Sequence, residues 1–164
     1  MDDMQPSIVV GVSGSAASAA ALRWAADEAL RRHARLRVVR IWEAAEHRAP
    51  YATAEHTPSA QQRRAAASGG LQGALHEEFG SHTPEFVAAE LAEGVPERVL
   101  VQRSAAADLL VLGSTTPASP LGCAAGPGVR TCLSRARCPV VIVRTAAGAP
   151  AQRWAAQPSS LSRA

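Results

Sequence analysis

The residues best placed to do chemistry lie between an apolar run, Leu109-Leu110-Val111-Leu112, and a second one, Val140-Val141-Ile142-Val143. The first run stops at Gly113, and the connection that follows carries three more glycines, Gly122, Gly126 and Gly128. A buried strand, a glycine loop, a helix from about Gly128 to Ser134 and another buried strand make a βαβ unit. Anion binding is the chemistry such a unit offers. The helix after the loop presents unpaired N–H groups and the positive end of its dipole.

Other reactive residues read as less organised. His47 and His56 stand near Glu43, Glu46 and Glu55, but in an aperiodic stretch between Trp42 and Ser59 broken by Pro50 and Pro58. Nothing there fixes a ligand spacing, so solvated loop histidines are the expectation and no metal site is predicted. His76, Glu77 and Glu78 fall on a helical segment and are read as its polar face. No nucleophile elbow of the GxSxG type is present, and no Ser–His–Asp set follows from spacing. All 17 basic residues are arginine, so a Gly-Lys-Ser/Thr phosphate loop and lysine-based covalent catalysis are excluded. Cys123, Cys132 and Cys138 are an odd number at spacings unlike a CxxC site; reduced structural thiols are expected, with Cys123 in the loop the reactive one if any is. An enzyme with a dedicated catalytic residue is therefore not predicted.

The elements that must position the loop follow from periodicity. Ile8–Val12 is a short β-branched strand ended by Ser13-Gly14-Ser15, and Ser15 is a suitable N-cap for a helix over Ala16–Arg32. That helix has Ala19, Leu22, Ala26, Ala29 and Leu30 as its predicted apolar stripe. Leu36–Trp42 is a second strand, with its arginines placed near an edge or end. Ala60–Phe79 is a helix through Ala67, Leu71, Leu75 and Phe79, weakened by Gly69, Gly70 and Gly73. Phe86–Leu91 is a third strand, Pro96 opens a helix carried by Val99, Leu100 and Arg103, and Leu109–Leu112 and Val140–Val143 are strands four and five. Continuous apolar strands alternating with helices predict an α/β fold: an open five-stranded parallel sheet with helices on both faces.

At 164 residues one domain is expected, with a core lean in aromatics, which make up 4% of the chain. The boundaries predicted are a flexible start over 1–6, a domain over 7–144 and a disordered tail over 145–164 that contains Trp154. The net charge is only +3. Arg31, Arg32, Arg35, Arg37 and Arg40 lie close to Asp27 and Glu28 without interleaved aromatics, so a solvated helix end is predicted and no nucleic-acid partner. No signal-peptide pattern or run of about 18 apolar residues is present, which predicts a cytoplasmic protein without a membrane partner.

Three segments together resemble the universal stress protein family across roughly residues 7–144. They are IVVGVSGSAASAAALRWAADEA from Ile8 to Ala29, EGVPERVLVQRSAAADLLVLGS from Glu93 to Ser114, and the glycine loop running into CPVVIVR, Cys138 to Arg144. The resemblance implies a flavodoxin-like or Rossmann-like fold of the adenine nucleotide alpha hydrolase type. It also implies a site for ATP or another adenine nucleotide. Val12, Ser13 and Gly14 would supply the end of strand one and Ile41 the end of strand two, with Ser13 and Ile41 near the base. Leu112, Gly113, Ser114 and Thr116 would follow strand four. Gly126, Pro127, Gly128, Val129 and Arg130 would open the last helix, their main chain facing phosphates and ribose. The family's last strand often pairs across a two-fold axis, so the resemblance implies a homodimer through Val140–Val143.

The departures from the family pattern are specific. The family's loop reads Gly, two residues, Gly, nine residues, Gly, then Ser or Thr; here Gly113 and Gly126 are in register, but Thr116 and Pro127 replace the other two. Ser13 stands where the family usually has aspartate. A β-branched residue at a positive-φ position costs about 1–3 kcal/mol. Pro127 removes an N–H and a hydroxyl, whereas Ser114, Thr115, Ser119 and Arg130 offer replacements. Two expectations follow: a regulatory stress-response module with weakened or lost ATP affinity, or a nucleotide-independent dimeric interaction module acting on an unknown protein partner.

Overall fold

The computed structural model describes residues 5–44, 58–115 and 126–145. Expectations for His47, His56, Thr116, Ser119, Cys123 and Trp154, and for the tail beyond Thr145, lie outside those residues. In chain order the elements are β1 (Ser7–Val12), α1 (Ala16–Arg32), β2 (Arg35–Trp42), α2 (Ala60–Phe79), β3 (Val87–Glu93), α3 (Pro96–Ser104), β4 (Leu109–Ser114), α4 (Pro127–Arg135) and β5 (Val140–Arg144).

All strand pairs are parallel, in the order β3-β2-β1-β4-β5. Because side chains alternate along a strand, each strand feeds two cores. Ile8, Val10, Val12, Leu36, Val38, Leu109 and Val111 pack with α1 and α2 on one face. Val9, Val39, Leu110 and Leu112 meet Val99 and Leu100 of α3 and Cys132 of α4 on the other. The central β1–β4 pair is tied at its entry end by two reciprocal hydrogen bonds. Ser7 N–H donates to Asp108 Oδ2 at 2.8 Å, and Asp108 N–H donates to the Ser7 carbonyl at 2.8 Å.

α1 is a small-residue helix laid close to the sheet, burying Ala17, Ser18, Ala21, Leu22, Ala25, Ala26 and Ala29. Ser15 caps it, its Oγ accepting from Ser18 N at 3.1 Å. Leu30, assigned to the apolar stripe by spacing, is 58% exposed, because the buried face turns away from it in the last turn. α2 is held more lightly, by Ala67, Leu71 and Leu75. Its start is secured by a capping box in which Ser59 Oγ accepts from Gln62 N at 3.1 Å and Gln62 Oε1 accepts from Ser59 N at 2.8 Å.

β2 lies inside the sheet and β3 forms the edge, so Arg37 is not at an edge as its sequence setting suggested. It stays in the strand beside Glu90 of β3, 4.0 Å away, where Glu90 also receives Arg103 of α3. β3 itself starts one residue later than expected and runs on to Glu93. Gln5 and Pro6, placed in the flexible start by sequence, bond to the domain: Arg35 N donates to the Pro6 carbonyl at 2.7 Å and Gln5 Nε2 to the His33 carbonyl at 3.1 Å. No helix among the described residues is long and apolar enough to cross a membrane.

Candidate functional site

The crossover from β3 to β4 passes over β2 and β1, so the chain leaves β1 toward one face and β4 toward the other. Such a point opens a crevice at the carboxyl ends of the two strands. A cleft of about 280 Å³ lies there, on the α3–α4 side. Val12, Ser13, Ile41, Leu112 and Gly113 line it from the strand ends, and Gly128 and Val129 from the first turn of α4. These seven positions are all among those expected from sequence.

The remaining expected residues are placed differently. Gly14, at φ +85°, turns to the α1–α2 side, where it lines a second, smaller pocket with Ser15 and Gly70. Ser114 is buried at the end of β4, outside the cleft wall. Gly126 is the N-cap of α4, at φ −60° and ψ 163°, and Pro127 is its first residue. Neither enters the lining, and nor does Arg130, which follows Gly128 by two residues and therefore points about 200° around the helix, to solvent.

Gly113 has a packing role as well. A Cβ there would sit 2.3 Å from the Ala17 carbonyl oxygen and 2.7 Å from Ser18 N, so only glycine lets the first turn of α1 approach β4. Gly126 is the opposite case, with nothing among the described residues within 4 Å of an added Cβ.

Several lining residues were not anticipated: Ser18, Arg40, Pro96, Glu97, Leu100 and Cys132. A usable signal existed for some. Pro96 and Glu97 begin the helix after β3, at the strand ends where ligands of such sheets lie, and Cys132 follows Gly128 by one helical turn. Arg40 reaches the cleft along β2, but its guanidinium stands on the α1–α2 side, where Nη1 would lie 3.2 Å from a Cβ at Gly14 and Cζ 3.5 Å from one at Gly70.

The electrostatics at the α4 end are simple. α3 and α4 both begin at the cleft, each with proline in its first turn and no side-chain cap. Glu97 is the acid in the first turn of α3, and its Oε2 would lie 3.9 Å from a Cβ at Gly128. Burial pushes the Cys132 thiol up to about 11, with the Glu97 charge adding to the rise. Burial likewise raises Cys138, helped by Asp108. Neither thiol is a nucleophile at neutral pH.

The other candidate groups are spoken for elsewhere. Glu78 faces Arg23 at 3.5 Å; burial raises its carboxyl and Arg23 opposes the rise. The five-arginine cluster disperses: Arg31 and Arg32 pair with Glu28, Arg35 with Gln5 and Arg37 with Glu90.

Fold and cleft together define a doubly wound α/β protein with a crevice at the β1–β4 switch point. Residues 4–144 match the sequence model of the universal stress protein family, and the chain belongs to that family. Among solved structures it is similar to universal stress protein UspA from Lactobacillus plantarum, at 24% identity and TM-score 0.62 over 85% of this chain and 97% of the other. It is also similar to a universal stress protein in complex with cAMP, at 21% identity and TM-score 0.62 over 85% and 97% of the two chains. A third similar structure is the universal stress protein from Archaeoglobus fulgidus in complex with dAMP, at 19% identity and TM-score 0.58 over 86% and 98%. No curated protein matches the chain.

Proposed function

We propose that this protein is a stress-response regulatory module that takes an adenine nucleotide in the cleft at the strand ends and holds ATP weakly. The observation that carries the reading is the cleft itself: its walls combine the ends of β1, β2 and β4 with the uncapped first turn of α4. Ile41, Leu112 and Val12 offer an apolar surface for a flat base, and the Gly128 and Val129 amides offer donors for an anion. Two similar family structures hold cAMP and dAMP, which supports an adenine ligand. Weak ATP binding follows from Pro127, which takes one amide out of the first turn of α4 and stands where the family has a hydroxyl residue. Each donor lost to a charged ligand costs about 1.5–3 kcal/mol. The module acts by binding rather than turnover: among the described lining residues the one acid is Glu97, and no histidine is present.

The test is to release and chromatograph nucleotide from purified protein and to titrate AMP, cyclic AMP and ATP by calorimetry. Binding in the micromolar to millimolar range is expected. No released nucleotide and no heat up to millimolar ligand sinks the reading. Replacing Thr116→Gly together with Pro127→Ser raises ATP affinity about tenfold or more.

The same proposal includes a homodimer, and β5 favours it. It is the sheet edge, and Val140, Val141, Ile142 and Val143 are each partly exposed in the protomer. Val141→Asp should give a monomer by light scattering; an unchanged dimer puts the interface elsewhere. The edge also supports a second reading, in which the dimer serves a protein partner without nucleotide. The titration decides between the two.

A further inference from the structure

We infer that Glu97 sets the charge selectivity of the cleft, making it take adenine ligands with one phosphate or none in preference to metal-free polyphosphates. This rests on the reading of the cleft as an adenine-nucleotide site. The argument starts from the helix that supplies the donors. α4 begins Gly126-Pro127-Gly128-Val129, so its first turn carries amides at 128 and 129, no amide at 127, and no side-chain cap. Those two amides are the donors that the start of α4 offers an anion. Glu97 lines the same cleft from the start of α3, and its Oε2 is 3.9 Å from the point where a Cβ on Gly128 would be.

A carboxylate so placed already meets the positive end of α4. Among the described residues it has no hydrogen-bond or ion-pair partner that would neutralise it. Its field reaches into α4, since its charge helps to raise the thiol of Cys132 one turn beyond Gly128. An incoming phosphate must share the helix end with that charge. One phosphate can trade repulsion against two amide hydrogen bonds. Each further phosphate adds repulsion from Glu97, and Pro127 has no amide to offset it. Adenosine feels neither effect.

The experiment compares wild type with Glu97→Gln, which keeps shape and removes charge, by calorimetric titration of adenosine, AMP and ATP without divalent cation. Wild type is expected to bind AMP more tightly than ATP. In Glu97→Gln the ratio of AMP to ATP affinity should fall about tenfold or more, with adenosine affinity unchanged. Nucleotide binding with an unchanged ratio in Glu97→Gln overturns the role of Glu97 and leaves the nucleotide reading standing. Loss of adenosine, AMP and ATP binding together in the variant overturns it as well, since Glu97 would then be structural; a second variant, Glu97→Ala, with circular dichroism as the fold check, separates that outcome from unfolding. No binding of any of the three to wild type overturns the nucleotide reading and this inference with it.

Discussion

Gly113 and Gly126 bracket one connection, from β4 to α4, and a side chain would meet opposite surroundings at the two. At Gly113 it would run into the backbone of α1 at 2.3 Å; at Gly126 it would meet no atom of the described residues within 4 Å. A glycine pattern in this fold therefore mixes two messages. The glycine at the strand end serves the packing of helix on sheet, and the glycine at the helix start, the N-cap of α4, meets no described atom that would exclude a side chain. The family's loop signature reports both at once, and coordinates are needed to part them.

The contrast can be broken most sharply at its tight end. Gly113→Ala should destabilise the domain by about 3 kcal/mol or more, because the obstacle is main chain and cannot swing aside; urea unfolding measures it, and an unchanged midpoint removes the distinction. Two glycines of α2 show what an open position is worth inside a helix. Gly69 and Gly73 have nothing within 4 Å of an added Cβ and ordinary φ, so Gly69→Ala and Gly73→Ala should each stabilise by about 1 kcal/mol, read as a higher thermal midpoint. At the open end of the loop, Gly126→Ser adds a capping hydroxyl and should change stability by only about a few tenths of a kcal/mol.

A pH series tests the buried side of α4. The folded Cys132 thiol is pushed to about 11 from an ordinary 9.0, so the unfolded chain loses this proton first. Its contribution to stability is complete below pH 9 and is lost as pH rises through about 11. Cys132→Ser should flatten that alkaline decline in unfolding free energy relative to wild type, and a decline of equal slope would assign it to other groups.

Much of the fold was legible because its signals are local. Ser15 as a cap, the alanine face of α1 and the bounds of α2 follow from caps and periodicity, even though Gly69, Gly70 and Gly73 weaken the pattern in α2. β3 was cut short at Leu91 because the acid and glycine at Glu93-Gly94 read as a turn, whereas an edge strand can carry the exposed Glu93 before turning at Gly94. The interior setting of Arg37 was not legible, since its partner Glu90 is distant in sequence. The cleft was half legible. Its strand-end residues and the start of α4 came with the family pattern. Glu97 and Leu100 did not, because periodicity describes one helix at a time and says nothing of which helix starts converge. Gly14 and Arg130 were assigned to the ligand by motif adjacency, and the turn at Gly14 and the pitch of α4 carry them elsewhere.

The paired hydrogen bonds between Ser7 and Asp108 have a meaning for synthesis. They close β1 on β4 across 101 positions of chain. As the protein leaves the ribosome, β2 can pair with β1, and β3 with β2, well before β4 exists. One long side of β1 then stays open, with Val9 and Val10 in it, a template for any other extended chain. Emergence of the stretch from Asp108 onward ends that exposure, so a nascent chain arrested just short of Asp108 is the form most in need of a chaperone.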